Sequence, residues 1–146
     1  MRVEIKRNQG LTLTATADSR HPVIMDAAGA TGGNDEGPRP MELVLMGLGG
    51  CTAMDVLTIL QKKRIELDDF EMHLEAQRNE EHPKVFTGIR IQFVFYGHAI
   101  PREAVEKAIE LSETKYCSGS AMLNKTARIT TEFEIRGPKA ERPRHE

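Results

Sequence analysis

The stretch from Pro40 to about Arg64 constrains this chain most. Leu43, Val44, Leu45, Met46, Leu48, Met54, Val56, Leu57, Ile59 and Leu60 point in nearly every direction of a helical wheel. A helix that is apolar all round has to be buried all round. Pro40 suits its first turn, where a missing N–H costs nothing. The longest charge-free run inside it, Leu43 to Met54, is 12 residues long. Crossing a bilayer takes about 20 apolar residues, so the segment reads as the core helix of a soluble protein with no membrane partner. A chain of 146 residues amounts to one domain by length. One small sheet has trouble covering such a helix, so a second subunit is expected to, and the chain is read as an intimate homodimer.

The flanking sequence supplies the sheet. Val3-Glu4-Ile5-Lys6 and Leu11-Thr12-Leu13-Thr14 alternate around Asn8-Gln9-Gly10, a hairpin pattern. A third short strand is expected in His21–Asp26. Ala27 to Arg39 follows with five glycines or prolines and almost no large apolar residue, which reads as a mobile loop able to serve as a lid. Phe70–Ala76 and Ile89–Phe95 alternate as paired antiparallel strands. Ile100-Pro101 opens a second helix running to about Tyr116, Ala121–Leu123 is a further short segment, and a last strand alternates through Ile129, Thr131, Phe133 and Ile135. The order βββ-α-ββ-α-α-β predicts an α+β fold with helices on one sheet face. The domain is expected over 1–136, with 137–146 a disordered tail.

Charge excludes some functions. Twenty basic and 22 acidic residues leave a net charge of -2, which argues against nucleic acid as a partner, and the absence of tryptophan argues against base-stacking platforms. No positively charged n-region precedes an apolar h-region, which predicts no signal peptide. Two cysteines in such a chain point to a reducing cytoplasm, where a disulfide is catalytic or sensing more often than structural. The five histidines have no metal-ligand spacing with either cysteine, and no metal site is expected. Gly29-Ala30-Thr31-Gly32-Gly33 lacks the lysine and the strand–glycine–helix context of a phosphate loop.

Cys51 and Cys117 occupy the least ordinary local sequence. Cys51 follows Gly49 and Gly50 in mid-helix, where each glycine costs up to about 1 kcal/mol against alanine. Close approach of another helix explains such glycines; so does room for a substrate beside the thiol. Cys117 lies in Tyr116-Cys117-Ser118-Gly119-Ser120, where a new helix can start and lower a thiol pKa, with Ser118 and Ser120 as capping candidates. The pair can be core filler, a structural disulfide or a redox couple, and the surrounding sequence favours the last. Asp55, one turn beyond Cys51, would raise its pKa. A thiolate at Cys51 therefore calls for a cation, and Arg39 and Arg20 are the candidates. Glu42 in the first turn suits the helix dipole and can also clamp an arginine.

Pro40-Met41-Glu42-Leu43 followed by Gly47-Leu48-Gly49-Gly50-Cys51 resembles the central helix of the OsmC/Ohr family, and Tyr116-Cys117-Ser118 resembles that family's second redox motif. The likeness runs over nearly the whole chain. It implies an OsmC-like fold, with antiparallel sheets, a long buried central helix and an intertwined homodimer with active sites at the subunit interface. It also implies a thiol-dependent peroxidase: Cys51 attacks a hydroperoxide, Cys117 resolves the sulfenic acid to a disulfide, and an external dithiol reduces it, with no metal, haem or flavin required. The organic-hydroperoxide branch carries a glutamate directly after the helix-opening proline, holding an arginine beside the thiolate. Here that position is Met41 and the acid follows as Glu42, about 100° round the helix, so the chain resembles a less characterised OsmC-like branch. A rival reading from another class is a non-enzymatic binding or sensing dimer. Its apolar interface pocket would be lined by Met41, Met46, Met54 and Met122 and would take a lipid-like ligand.

Overall fold

The computed structural model describes residues 1–139. Its elements are β1 (Val3–Gln9), β2 (Thr12–Ala17), β3 (Pro22–Met25), α1 (Pro40–Lys62), β4 (Asp69–Arg78), β5 (Phe86–Tyr96), α2 (Arg102–Leu111), α3 (Ser118–Leu123) and β6 (Arg128–Arg136). The order is the α+β order expected from the pattern. The predicted tail falls largely outside the described residues. Within them, Lys139 forms ion pairs with Asp69 and Glu71. The chain divides into two compact units, Met1–Met46 and Gly47 onward, and α1 crosses from one to the other.

The N-terminal unit is an antiparallel sheet in the order β1-β2-β3. Asp26, at the end of β3, is 2% exposed and organises the segment after it. Its carboxylate accepts from the Thr12 hydroxyl at 2.9 Å and from the N–H groups of Ala27, Asn34 and Glu36 at 2.7, 3.0 and 3.2 Å. The segment expected to be a mobile loop is therefore tied back to the sheet around one carboxylate. Gly33 has to be glycine for this fastening, since a Cβ there would lie 1.9 Å from the Ala27 carbonyl oxygen. Burial pushes the Asp26 carboxyl up, but the N–H of Glu36, the Thr12 hydroxyl and the N–H groups of Ala27 and Asn34 outweigh it and hold it below the usual value.

The C-terminal unit is built on a sheet in the order β4-β5-β6. Its centre is β5, where Ile89, Ile91, Phe93, Val94 and Phe95 are each at most 2% exposed. Phe70 and Phe95 meet at 5.3 Å between ring centroids, and Phe93 stacks on Phe95 at 6.1 Å. The expectation of purely antiparallel sheets needs one correction: β6 pairs parallel to β5, with Ile89 opposite Ile129 and Phe93 opposite Phe133. The connection between them carries α2 and α3, and a crossover of that length returns a strand parallel to its neighbour.

Helix α1 ends at Lys62, slightly earlier than expected. It buries Leu48, Gly49, Thr52, Val56 and Leu60, one stripe at roughly helical spacing. Gly49 stands against β4, where an added Cβ would lie 3.0 Å from Leu74 Cδ1. Other apolar positions are half-buried, and three are open in the single chain: Val44, Met46 and Met54 are 41%, 57% and 71% exposed. By length and composition this helix could also cross a membrane.

Candidate active site

Cys51 and Cys117 come together in the C-terminal unit. Cys51 rides on α1, with Thr52 beside it, Leu48 one turn before and Asp55 one turn after. Cys117 is delivered by an irregular end to α2. After Leu111 the chain widens into a π turn, Ser112–Tyr116, closed by a bond from the Cys117 N–H to the Ser112 carbonyl at 2.8 Å. One such turn inserts a residue relative to α register, and it is a common device at functional sites. The chain then enters α3 with Cys117 as N-cap, φ −73° and ψ 102°, its own sulfur accepting from the Ser120 N–H at 3.3 Å. A helix start at Cys117 was expected. The cap is the thiol and not Ser118 or Ser120, whose hydroxyls were the candidates.

The two sulfurs and an Asp55 carboxylate oxygen lie within 4.8 Å of one another. Both thiols are free; Cys117 is 3% exposed and Cys51 partly open. The Thr52 hydroxyl, fully buried, sits 3.3 Å from Cys117 Sγ and 3.0 Å from the Leu48 carbonyl oxygen. With its one proton on Leu48 it accepts from a Cys117 thiol; turned round, it donates to a Cys117 thiolate. The buried Ser112 hydroxyl donates to Asp55 Oδ2 at 3.2 Å. Gly119 brings its N–H to the Cys51 sulfur, and its bare Cα lies close over Leu48, where a Cβ would be 3.5 Å from the Leu48 Cα. The first turn of α3 thus offers one amide to each sulfur.

These contacts split the two thiols. At Cys51 the Gly119 N–H favours the thiolate, but burial, the shared hydrogen bond and charge of Cys117, and Asp55 together push the thiol up. At Cys117 burial pushes up, yet the nearby Ser120 hydroxyl, the Thr52 hydroxyl, the Ser120 N–H and Cys51 hold it down. These contacts favour the thiolate at Cys117 over that at Cys51. Two thiols in contact titrate as a pair, so a single shared charge is the chemically useful state. Their sulfurs, within 4.8 Å of one another, are near enough for that charge to pass between them.

The remaining candidates belong to the N-terminal unit. The guanidinium of Arg39 is bound to Asp35 and donates to the Gly37 carbonyl at 2.7 Å. Glu42 accepts from the Arg39 main-chain N–H at 2.8 Å. That closes a capping arrangement in which the third residue of the helix reaches back to the residue before it, so Glu42 holds the backbone of Arg39 and not its guanidinium. Arg20 is exposed in the β2–β3 turn with φ +64°. Thr52, Ser112 and the Gly119 amide were not foreseen. Thr52 had one sequence signal, a hydroxyl inside an apolar run; the other two owe their place to the π turn.

A cavity of about 400 Å³ opens beside Asp55, lined also by Thr58, Ile59, Lys62, Lys63, Leu111 and Tyr116. It combines an apolar wall with two ammonium groups close to the thiol pair.

Comparison with known proteins points the same way. The family model for OsmC-like proteins matches residues 32–132. Protein YhfA of Escherichia coli is 42% identical over 135 residues, covering 92% of this chain and 98% of its own. A hypothetical protein from Aquifex aeolicus has a crystal structure similar at a TM-score of 0.82 with 31% identity, over 94% of this chain and 97% of that one. An organic hydroperoxide resistance protein OsmC from Legionella pneumophila is similar at a TM-score of 0.68 over 92% of this chain and 98% of that one. At 14% identity that last likeness is one of fold.

Proposed function

The chain belongs to the OsmC-like protein family, and from that premise we propose that it is a thiol-dependent hydroperoxide reductase working through Cys51 and Cys117. One observation carries the reading: the only two cysteines of the chain, far apart in sequence, bring their sulfurs within 4.8 Å of one another at the start of α3. Family membership and the organic hydroperoxide resistance proteins among the fold relatives support a redox-related role.

Cys51 is the attacking sulfur because it is the one partly open to solvent. The charge held first on Cys117 moves to Cys51 as the proton crosses between them. The Cys51 thiolate attacks the distal oxygen of the hydroperoxide; the O–O bond breaks, the alcohol leaves with a proton, and Cys51 becomes a sulfenic acid. Cys117 then attacks that sulfur and water departs, leaving a Cys51–Cys117 disulfide. An external dithiol returns two electrons, as a reducing cytoplasm would supply. The amides of Gly119 and Ser120 and the Thr52 hydroxyl serve the thiolate. Any added part played by Arg39 or Arg20, with Glu42 as orienter, is read from the Cys51 pKa in Arg39→Ala and Arg20→Ala.

The working protein is a homodimer in this reading. Helix α1 leaves Val44, Met46 and Met54 exposed in the single chain, and Gly47 and Gly50 face nothing within 4 Å among the described residues. Glycines that cost helix stability and meet nothing among the described residues suit the close approach of a partner's backbone.

Steady-state peroxide consumption with an excess of dithiol tests the proposal. Wild type should turn over cumene hydroperoxide, Cys51→Ser should fall to the protein-free rate, and Cys117→Ser should stop after one oxidation. Retained turnover in Cys51→Ser removes the assignment. Inert thiols together with a co-purifying small molecule would favour the binding dimer.

A further inference from the structure

The thiol pair and Asp55 have a use beyond peroxide chemistry. Two sulfurs and a carboxylate oxygen lie within 4.8 Å of one another. A tetrahedral Zn²⁺ holds thiolate sulfur at about 2.3 Å and carboxylate oxygen at about 2.0–2.2 Å, which places two ligands of one ion roughly 3.5–4 Å apart. Small side-chain movements bring the three atoms to that spacing. Motif spacing alone does not reveal such a set: Cys51 and Asp55 stand one turn apart on α1, and Cys117 arrives by way of the π turn.

We propose that Cys51, Asp55 and Cys117 form a three-ligand site for one thiophilic divalent cation such as Zn²⁺, with the fourth position left to water. Three groups that are anionic when ionised stand together there, and a divalent cation turns their mutual repulsion into a ligand set. Each ligand already has the outer hydrogen bond that orients metal ligands. The Ser112 hydroxyl donates to Asp55 at 3.2 Å, the Ser120 N–H to Cys117 at 3.3 Å, and the Gly119 N–H reaches Cys51. A separate observation points the same way. The hydroxyl of Ser120, a residue 2% exposed, lies near enough to the Cys117 sulfur to favour its thiolate but makes no hydrogen bond of ordinary geometry among the described residues, although its own N–H holds that sulfur. A cation-bound water is a partner of the right kind for it.

Binding oxidises nothing. Each protonated thiol releases its proton to solvent as its metal–sulfur bond forms. Each bound sulfur gives a lone pair to the cation and is a weaker nucleophile, so the cation slows attack on a hydroperoxide. The proposal stands apart from the peroxidase reading.

The test is titration of the reduced full chain with Zn²⁺ against a chromophoric chelator, with Co²⁺ as spectroscopic probe. One ion per chain should bind, both thiols should become protected from a thiol reagent, and Co²⁺ should give thiolate charge-transfer bands with a tetrahedral d–d pattern. Ser112→Ala, which removes no ligand, should weaken binding about 10–100-fold. Asp55→Asn should weaken it by more while leaving two titratable thiols. An absence of binding, two chains per ion, or wild-type affinity in both variants would overturn the site. Reactivity to peroxide, measured free of metal, separates the two proposals. Tight Zn²⁺ binding with inert thiols removes the reductase alone, and rapid disulfide formation without Zn²⁺ binding removes the metal site alone.

Discussion

At the scale of residues, the proposed chemistry depends on how Cys51 and Cys117 shape each other's thiolate. Against the pull of the Gly119 N–H, Cys51 is pushed up by burial, by Cys117 and by Asp55. Taking away Cys117 removes two of the raising influences, so the Cys51 pKa in Cys117→Ser should fall below its value in the pair. Asp55→Asn should lower it as well. Thr52→Val keeps the shape and deletes the hydroxyl that steadies a Cys117 thiolate, so the Cys117 pKa in a Cys51→Ser background should rise. Ultraviolet thiolate absorbance against pH reads all of these, and an unchanged Cys117 curve in Thr52→Val would contradict the assigned contact. The two thiols are legible in the sequence because cysteine is rare here and both sit in unusual local motifs. Thr52 and Ser112 are not, since a hydroxyl's partner is decided by what the fold lays against it. Asp55 is visible one turn from Cys51, but spacing along one helix shows only its repulsion of a thiolate.

At the scale of elements, the π turn between α2 and α3 sets the aim of Cys117. Adding one alanine after Glu113, beyond the residue that the π turn already absorbs, would swing Cys117 and α3 by about 100°. That variant should fold, with the aromatic core of β5 intact, yet form no Cys51–Cys117 disulfide under oxidant. Periodicity marked the helix here and not its irregular end, because one added residue leaves the apolar pattern almost unchanged. Alternation likewise marked β6 without its direction, which the length of the crossover decides. Phe95, 0% exposed at the centre of β5, anchors the packing of this unit: Phe95→Ala should cost about 3–5 kcal/mol in denaturant unfolding. In the N-terminal unit the fastening is Asp26. Its folded pKa lies below the ordinary value of 3.8, so as pH falls the unfolded chain takes up the proton first. The stabilisation is complete above that value and is lost as pH drops through the folded pKa. Proteolysis within residues 27–39 should therefore accelerate on acidification below about pH 4 in wild type, and Asp26→Asn should be cleaved readily at neutral pH with little further dependence. The glycines and prolines of this segment read as mobility because hydrogen bonds to one carboxylate leave no periodic trace.

For the whole molecule, the apolar helix remains the ruling feature. The α+β order and the family were legible from hydrophobic periodicity and the two cysteine motifs, and the same periodicity is the ground for expecting a second subunit over α1. Gly47→Leu offers a clean test of the dimer. The site is open in the single chain and leucine gains about 1 kcal/mol of helix propensity over glycine. The variant should keep its helical content while sedimenting at lower mass than the wild-type dimer; a wild-type monomer, or a dimer untouched by the change, would contradict the assembly. The central claim, that Cys51 and Cys117 form one redox couple, is tested most directly by thiol counting and mass mapping of reduced, metal-free protein. The counts are taken before and after stoichiometric cumene hydroperoxide. Both thiols should be lost rapidly to an intrachain Cys51–Cys117 disulfide. Two thiols still present after exposure, or a disulfide between chains in its place, would contradict that claim.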